Sequence, residues 1–157
     1  MSGTPAIRKV LAALKAALEA TAVFTTVEID RSPEEPYGNA EFPAANIVVT
    51  AVQITAPWQY KANGTLHEPR FEIGLVVENS AAATVNAQLD DLECTVIAAL
   101  TGDPAINDYF QKFSPEESEG AADVPTDDGT RRLLFAGQFL TPFGDHRTLI
   151  AQSGPIT

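Results

Sequence analysis

The sequence predicts an α+β domain, a mainly antiparallel four-stranded sheet with two helices packed on one face. Three observations lead there. At 157 residues the chain is long enough for one well-cored domain and short for two, so 1–157 is read as a single domain. Two stretches carry apolar side chains at helical spacing. Between them Phe71, Ile73, Leu75 and Val77 alternate with Arg70, Glu72, Gly74 and Glu78, the period of a strand with one buried face.

The first helix opens at Thr4-Pro5, a hydroxyl cap followed by a proline where its missing N–H costs nothing. Ile7, Val10, Leu11, Leu14 and Leu18 form its apolar stripe. Val23 to Asp30 is rich in β-branched residues and reads as a strand. The stretch 31–38 holds two prolines and a glycine and reads as a loop. Asn46 to Ile54, apolar at most positions, is the next strand, and 56–69 is a long connection to the alternating strand at 70–78.

Ser80 is placed to cap a second helix running to about Thr101, with Val85, Leu89, Leu92, Val96 and Leu100 on one face. Gly102 and Pro104 end it. The stretch 106–113 has three aromatics and no clear period. From 114 to 130 the chain carries six acidic residues and no basic one, which predicts a solvated, mobile insertion. Arg131 to Leu140 is the fourth strand, and a mostly polar tail follows from about 145.

Charge and motifs narrow the function. Ten Lys+Arg against 21 Asp+Glu give a formal net charge of -11, which argues against gripping nucleic acid or an anionic membrane. No apolar run approaches a membrane span, no signal peptide is recognisable, and the lone Cys94 excludes an intramolecular disulfide, so folding in a reducing cytoplasm is expected. Asn63-Gly64-Thr65 matches a glycosylation sequon but reads as a turn. His67 and His146 lie far apart in sequence and Cys94 sits among acidic residues, poor material for a metal site or a nucleophile. Asp127-Asp128-Gly129-Thr130 fails the phosphatase pattern, because Thr126 stands at the nucleophile position. The phosphate-loop, dinucleotide and nucleophile-elbow motifs are missing. Neither an enzyme nor a cofactor is expected.

The opening helix at Ile7 to Leu18, the Phe-Pro-Ala-Ala-Asn-Ile-Val-Val run from Phe42, the 71–78 strand leading into a helix, and Arg-Leu-Leu-Phe-Ala-Gly-Gln-Phe-Leu-Thr-Pro-Phe-Gly-Asp from Arg132 to Asp145 form a characteristic layout. It resembles the tail-terminator (gpU-like minor tail) proteins of long-tailed phages and prophages. The resemblance implies a non-enzymatic virion-tail protein, made in the host cytoplasm. It forms a hexameric ring that caps the tail tube, ends its growth and offers a surface for head joining. Its implied partners are further copies of itself, tail-tube protein and a head-completion protein, with DNA only passing through the lumen. The acidic segment 114–130 departs from the family's pattern.

Within that picture the open sheet face is expected to be an interface, through Val48, Val52, Ile54, Leu134 and Leu140. Trp58 and Tyr60 in the long connection are the expected docking anchors. Arg131, Arg132 and Arg147 are candidates for pairing with a neighbour's acidic insertion. Two other classes remain as alternatives. One is a small-ligand or peptide-binding module using the open face. The other is an enzyme built around Asp145 and His146, which requires a third polar group to converge on them in a cleft.

Overall fold

The computed structural model describes residues 3–32, 34–58, 64–78, 80–119 and 129–157. Their order is α1 (Ala6–Ala20), β1 (Thr26–Ile29), β2 (Ala44–Trp58), β3 (Gly64–Val76), α2 (Ala82–Gly102), α3 (Pro104–Tyr109), β4 (Lys112–Glu119), β5 (Thr130–Pro142), β6 (Leu149–Ala151) and β7 (Gly154–Ile156). The class is α+β. The expected four-stranded antiparallel sheet is instead a mixed seven-stranded one, ordered β1-β2-β3-β5-β6-β7 with β4 also paired to β5. β1 runs parallel to β2, and the remaining pairs are antiparallel.

The helices supply the stripes their sequences carry. Val10, Leu11, Leu14 and Leu18 of α1 and Val85, Leu89, Leu92, Val96 and Leu100 of α2 are all buried. They lie in one core with Ala45 and Ile47 of β2, Phe71, Ile73 and Leu75 of β3, and Leu133, Phe135 and Phe139 of β5. The two expected hydroxyl caps are not used. The cap residues are Pro5 and Ala81, neither with a side-chain bond. The first free N–H of α1, on Ala6, instead donates to the His146 carbonyl at 2.9 Å, so a tertiary contact satisfies a group that helix geometry leaves open.

Three stretches expected as loop, insertion and tail contain strand where they are described, and the stretch left without a clear period opens in a short helix. The Gly102-Asp103-Pro104 stop is also a start: Asp103 Oδ1 accepts from the N–H groups of Ala105 (2.9 Å) and Ile106 (3.0 Å), and Pro104 opens α3. The long connection 56–69 is largely the distal part of a β2–β3 hairpin, because Thr65, Leu66 and His67 are buried where β3 pairs with the far end of β5. The first part of the acidic stretch is β4, with its carboxylates on the exposed side of an edge strand; residues 120–128 lie outside the described residues. The polar tail likewise closes the sheet as β6 and β7, burying Leu149 and Ala151. It is tied to α3 where the Ser153 N–H and hydroxyl donate to Asp108, both at 2.7 Å.

Candidate functional site

Among the described residues the helices cover one face of the sheet and leave the other open. Alternation along the strands puts Glu68, Arg70, Glu72 and Gly74 of β3 and Arg132, Leu134, Ala136 and Gln138 of β5 on the open side. A bulge at Thr50 keeps Ala51 opposite Arg70, so Ala51 and Gln53 join that face while Val52 and Ile54 turn to the helix side. The expected apolar interface is therefore not what the open face carries. Leu140 is fully buried, Val48 and Leu134 are half-buried, and the exposed Val52 and Ile54 project beyond the helices on the other side.

What the open face carries is charge, and the charges are satisfied internally. Arg132 lies 2.9 Å from Glu72 and also pairs with Glu119 of β4. Arg70 pairs with Glu116, and the Gln138 amide donates to Glu68 at 3.4 Å. With both arginines more than half exposed, each pair contributes under about 1 kcal/mol. Their consequence is electrostatic: the cations of β3 and β5 are already neutralised by this chain's own carboxylates. A depression of about 350 Å³ lies among them, floored by Ala51, Ala136 and Gly137 and rimmed by Arg70, Lys112 and Glu116.

The arginines singled out in the sequence fall in three different places. Arg131 is 3% exposed on the helix side, where its guanidinium meets Asp90 of α2 at 2.6 Å and Glu93 at 3.7 Å; the acidic partner expected on a neighbour is found within the chain. Arg132 belongs to the open face. Arg147 is exposed and donates to the Gly3 carbonyl, while its own carbonyl accepts from Lys9, which pins the start of α1 to the turn after β5. The Trp58 backbone pairs with Gly64, but its side chain and the whole of Tyr60 lie outside the described residues. The double substitution Asp90→Asn with Glu93→Gln leaves the buried Arg131 charge without a counter-ion. Because Asp90 is itself well exposed, a loss of about 2 kcal/mol is expected in urea unfolding.

The two histidines, distant in sequence, meet in space. β3 and β5 pair His67 with Phe139, and the rings stack at 4.6 Å; the exposed His146 lies edge-on to His67 at 4.7 Å. His67 Nε2 is 2.9 Å from the Thr141 hydroxyl. Burial, aided by the neighbouring His146, lowers the His67 pKa to about 4. The Asp145 carboxyl is directed elsewhere: Thr148 and the Arg147 N–H hold it below the usual carboxylate range.

A Thr-His pair invites a catalytic reading, but its chemistry is wrong for one. Thr141 is fully buried, so no substrate reaches its oxygen, and an imidazole of pKa about 4 is a poor base at neutral pH. Among the described residues Asp145 turns to Thr148 and the Arg147 N–H while His146 lies edge-on to His67, so the two side chains are engaged separately. Among the described residues no group of three or more His, Cys, Asp or Glu side chains could hold a metal ion, and no helix is long and apolar enough to cross a membrane.

No family model matches this chain, and no curated protein matches it. Among solved structures it is similar to the bacteriophage SPP1 gp17 protein, at 18% identity over 88% of this chain and 92% of that one. The TM-score is 0.43, a likeness of chain path that carries no functional argument by itself.

Proposed function

We propose that this chain is a non-enzymatic structural subunit of a phage tail. In this reading six copies form a ring on the end of the tail tube, stop its growth and present a surface for joining the head. The layout of the sequence, from the Ile7–Leu18 helix to the closing 132–145 strand, supports it. The observation that carries it is the open sheet face, which no helix among the described residues covers and whose arginines are paired within the chain. Such a face is content against water. Turned towards a lumen it lets DNA pass without being held, because gripping a phosphate backbone requires cations free to replace its counter-ions. A chain of net charge -11 adds no attraction. The small-ligand reading has a foothold in the depression over Ala51 and Ala136, but its rim cation Arg70 is already engaged by Glu116.

Light scattering and native mass spectrometry, with and without tail-tube protein, test the ring. The expected result is a hexamer, formed or strengthened by tube ends and visible as an annulus by electron microscopy. A monomer under every condition overturns the reading.

A further inference from the structure

β2 outruns its neighbour. β1 pairs with it only at residues 44–47, so from Val48 onwards the outer edge of β2 has no adjacent strand among the described residues. Thr50 to Thr55 are all exposed, with Val52 41% and Ile54 52% accessible on one face. Free strand edges are templates for pairing, and proteins usually blunt them with charge, proline or brevity. The other long edge of this sheet is blunted in that way: β4 carries Glu116, Glu117 and Glu119, Pro115 without an N–H, and a register shift between Pro115 and Glu117. β1, β6 and β7 are short. The β2 edge has one such guard, the bulge at Thr50, and beyond it Ala51 to Thr55 carries neither charge nor proline. It also lies in residues 42–60, the longest run of the chain with no charged residue.

We propose that this edge pairs antiparallel with the same edge of a second copy of the chain, about a two-fold axis at Gln53. Charge selects the occupant. Two chains of net charge -11 repel except where they meet through uncharged surface, and the β2 edge meeting itself brings no carboxylate out of water. The β4 edge offers three carboxylates and a proline to any incoming strand. Side-chain register selects the axis. With Gln53 opposite Gln53, Val52 of each copy faces Ile54 of the other, and the four apolar groups form one cluster on the helix side of a sheet running through both chains. An axis one residue away loses the Val52–Ile54 facing. The contact is isologous, so it closes at two copies instead of propagating.

The pairing does not rest on the ring reading, and one experiment separates them. In a Cys94→Ser background, which removes the exposed native thiol, Gln53→Cys is treated with a mild oxidant or a short bis-maleimide. A 53-to-53 crosslink in high yield is expected in the chain free of tail tube, sized as a dimer, since a ring with unlike faces contains no two-fold axis between neighbours. Val52→Asp with Ile54→Asp, at positions already exposed, is expected to leave circular dichroism and the melting temperature unchanged. It should weaken self-association at least about tenfold, because like charges then face each other across the axis. A strictly monomeric wild-type chain overturns the proposal, and so does a Gln53→Cys chain that links to Ser114→Cys on β4 of another copy but not to itself. A hexamer without the 53-to-53 link overturns the pairing and leaves the ring standing.

Discussion

Replacing Phe110 by alanine is expected to lower the unfolding free energy by about 3 to 5 kcal/mol, measured by urea denaturation. Phe110 is 2% exposed and sits at the centre of an aromatic cluster: Phe113 at 4.9 Å, Phe71 edge-on at 5.9 Å and Phe139 edge-on at 6.2 Å. Its ring fits against Gly137 of β5 so closely that a Cβ there would fall 2.6 Å from a ring carbon. The two positions are one fitted pair, which gives the prediction a second arm. Gly137→Val overfills the same space and is expected to cost about 1 to 3 kcal/mol, less than the cavity. Combined with Phe110→Ala, the valine should recover part of the loss, since its methyl groups occupy the vacated volume. Strict additivity in the double variant would mean that the two sites do not share that space.

This cluster also marks where reading the sequence ran out. The α1 and α2 stripes were legible because a helix facing one core repeats its apolar residues every turn, and every expected stripe residue of α2 is buried. Tyr109, Phe110 and Phe113 straddle the end of α3, the link and the start of β4, so no single period runs through them. The strand β4 was hidden for a different reason. Its carboxylates read as solvated loop until Arg70 and Arg132, distant in sequence, are seen on the strands beside it. The open face was misjudged by one residue: the Thr50 bulge shifts Val52 and Ile54 to the opposite side, and a side-chain period of two makes such a shift invert the pattern. The histidine pair had no sequence signal, because it forms only through the β3–β5 register and the turn that follows β5.

That pair makes stability depend on pH in a direction that can be worked out. In the unfolded chain His67 titrates near its ordinary value of 6.5, whereas in the folded chain burial and His146 lower it to about 4. Above pH 6.5 both states hold a neutral imidazole and the full stability is present. As the pH falls from 6.5 towards 4 the unfolded state takes up a proton that the folded state refuses, so stability declines; below 4 both are protonated and the loss is complete. A lowering to about 4 corresponds to a loss of about 3 kcal/mol at most. Carboxylates titrate at the lower end of this window, so the wild-type curve alone is ambiguous and a variant must isolate the histidine. His67→Phe keeps an aromatic surface against Phe139 but removes the titrating group, and leaves the Thr141 hydroxyl without its partner, at about 1 kcal/mol. The variant should therefore be less stable than wild type at pH 7.5 and flatter between pH 6.5 and 4.5, so that the two curves converge or cross on acidification. His146→Gln removes the second cause of the lowering while leaving the burial, and is expected to soften the wild-type slope without abolishing it. Parallel curves for wild type and His67→Phe across that window would show that His67 titrates normally in the folded chain, and that the packed Phe139–His67–Thr141 arrangement is open to water.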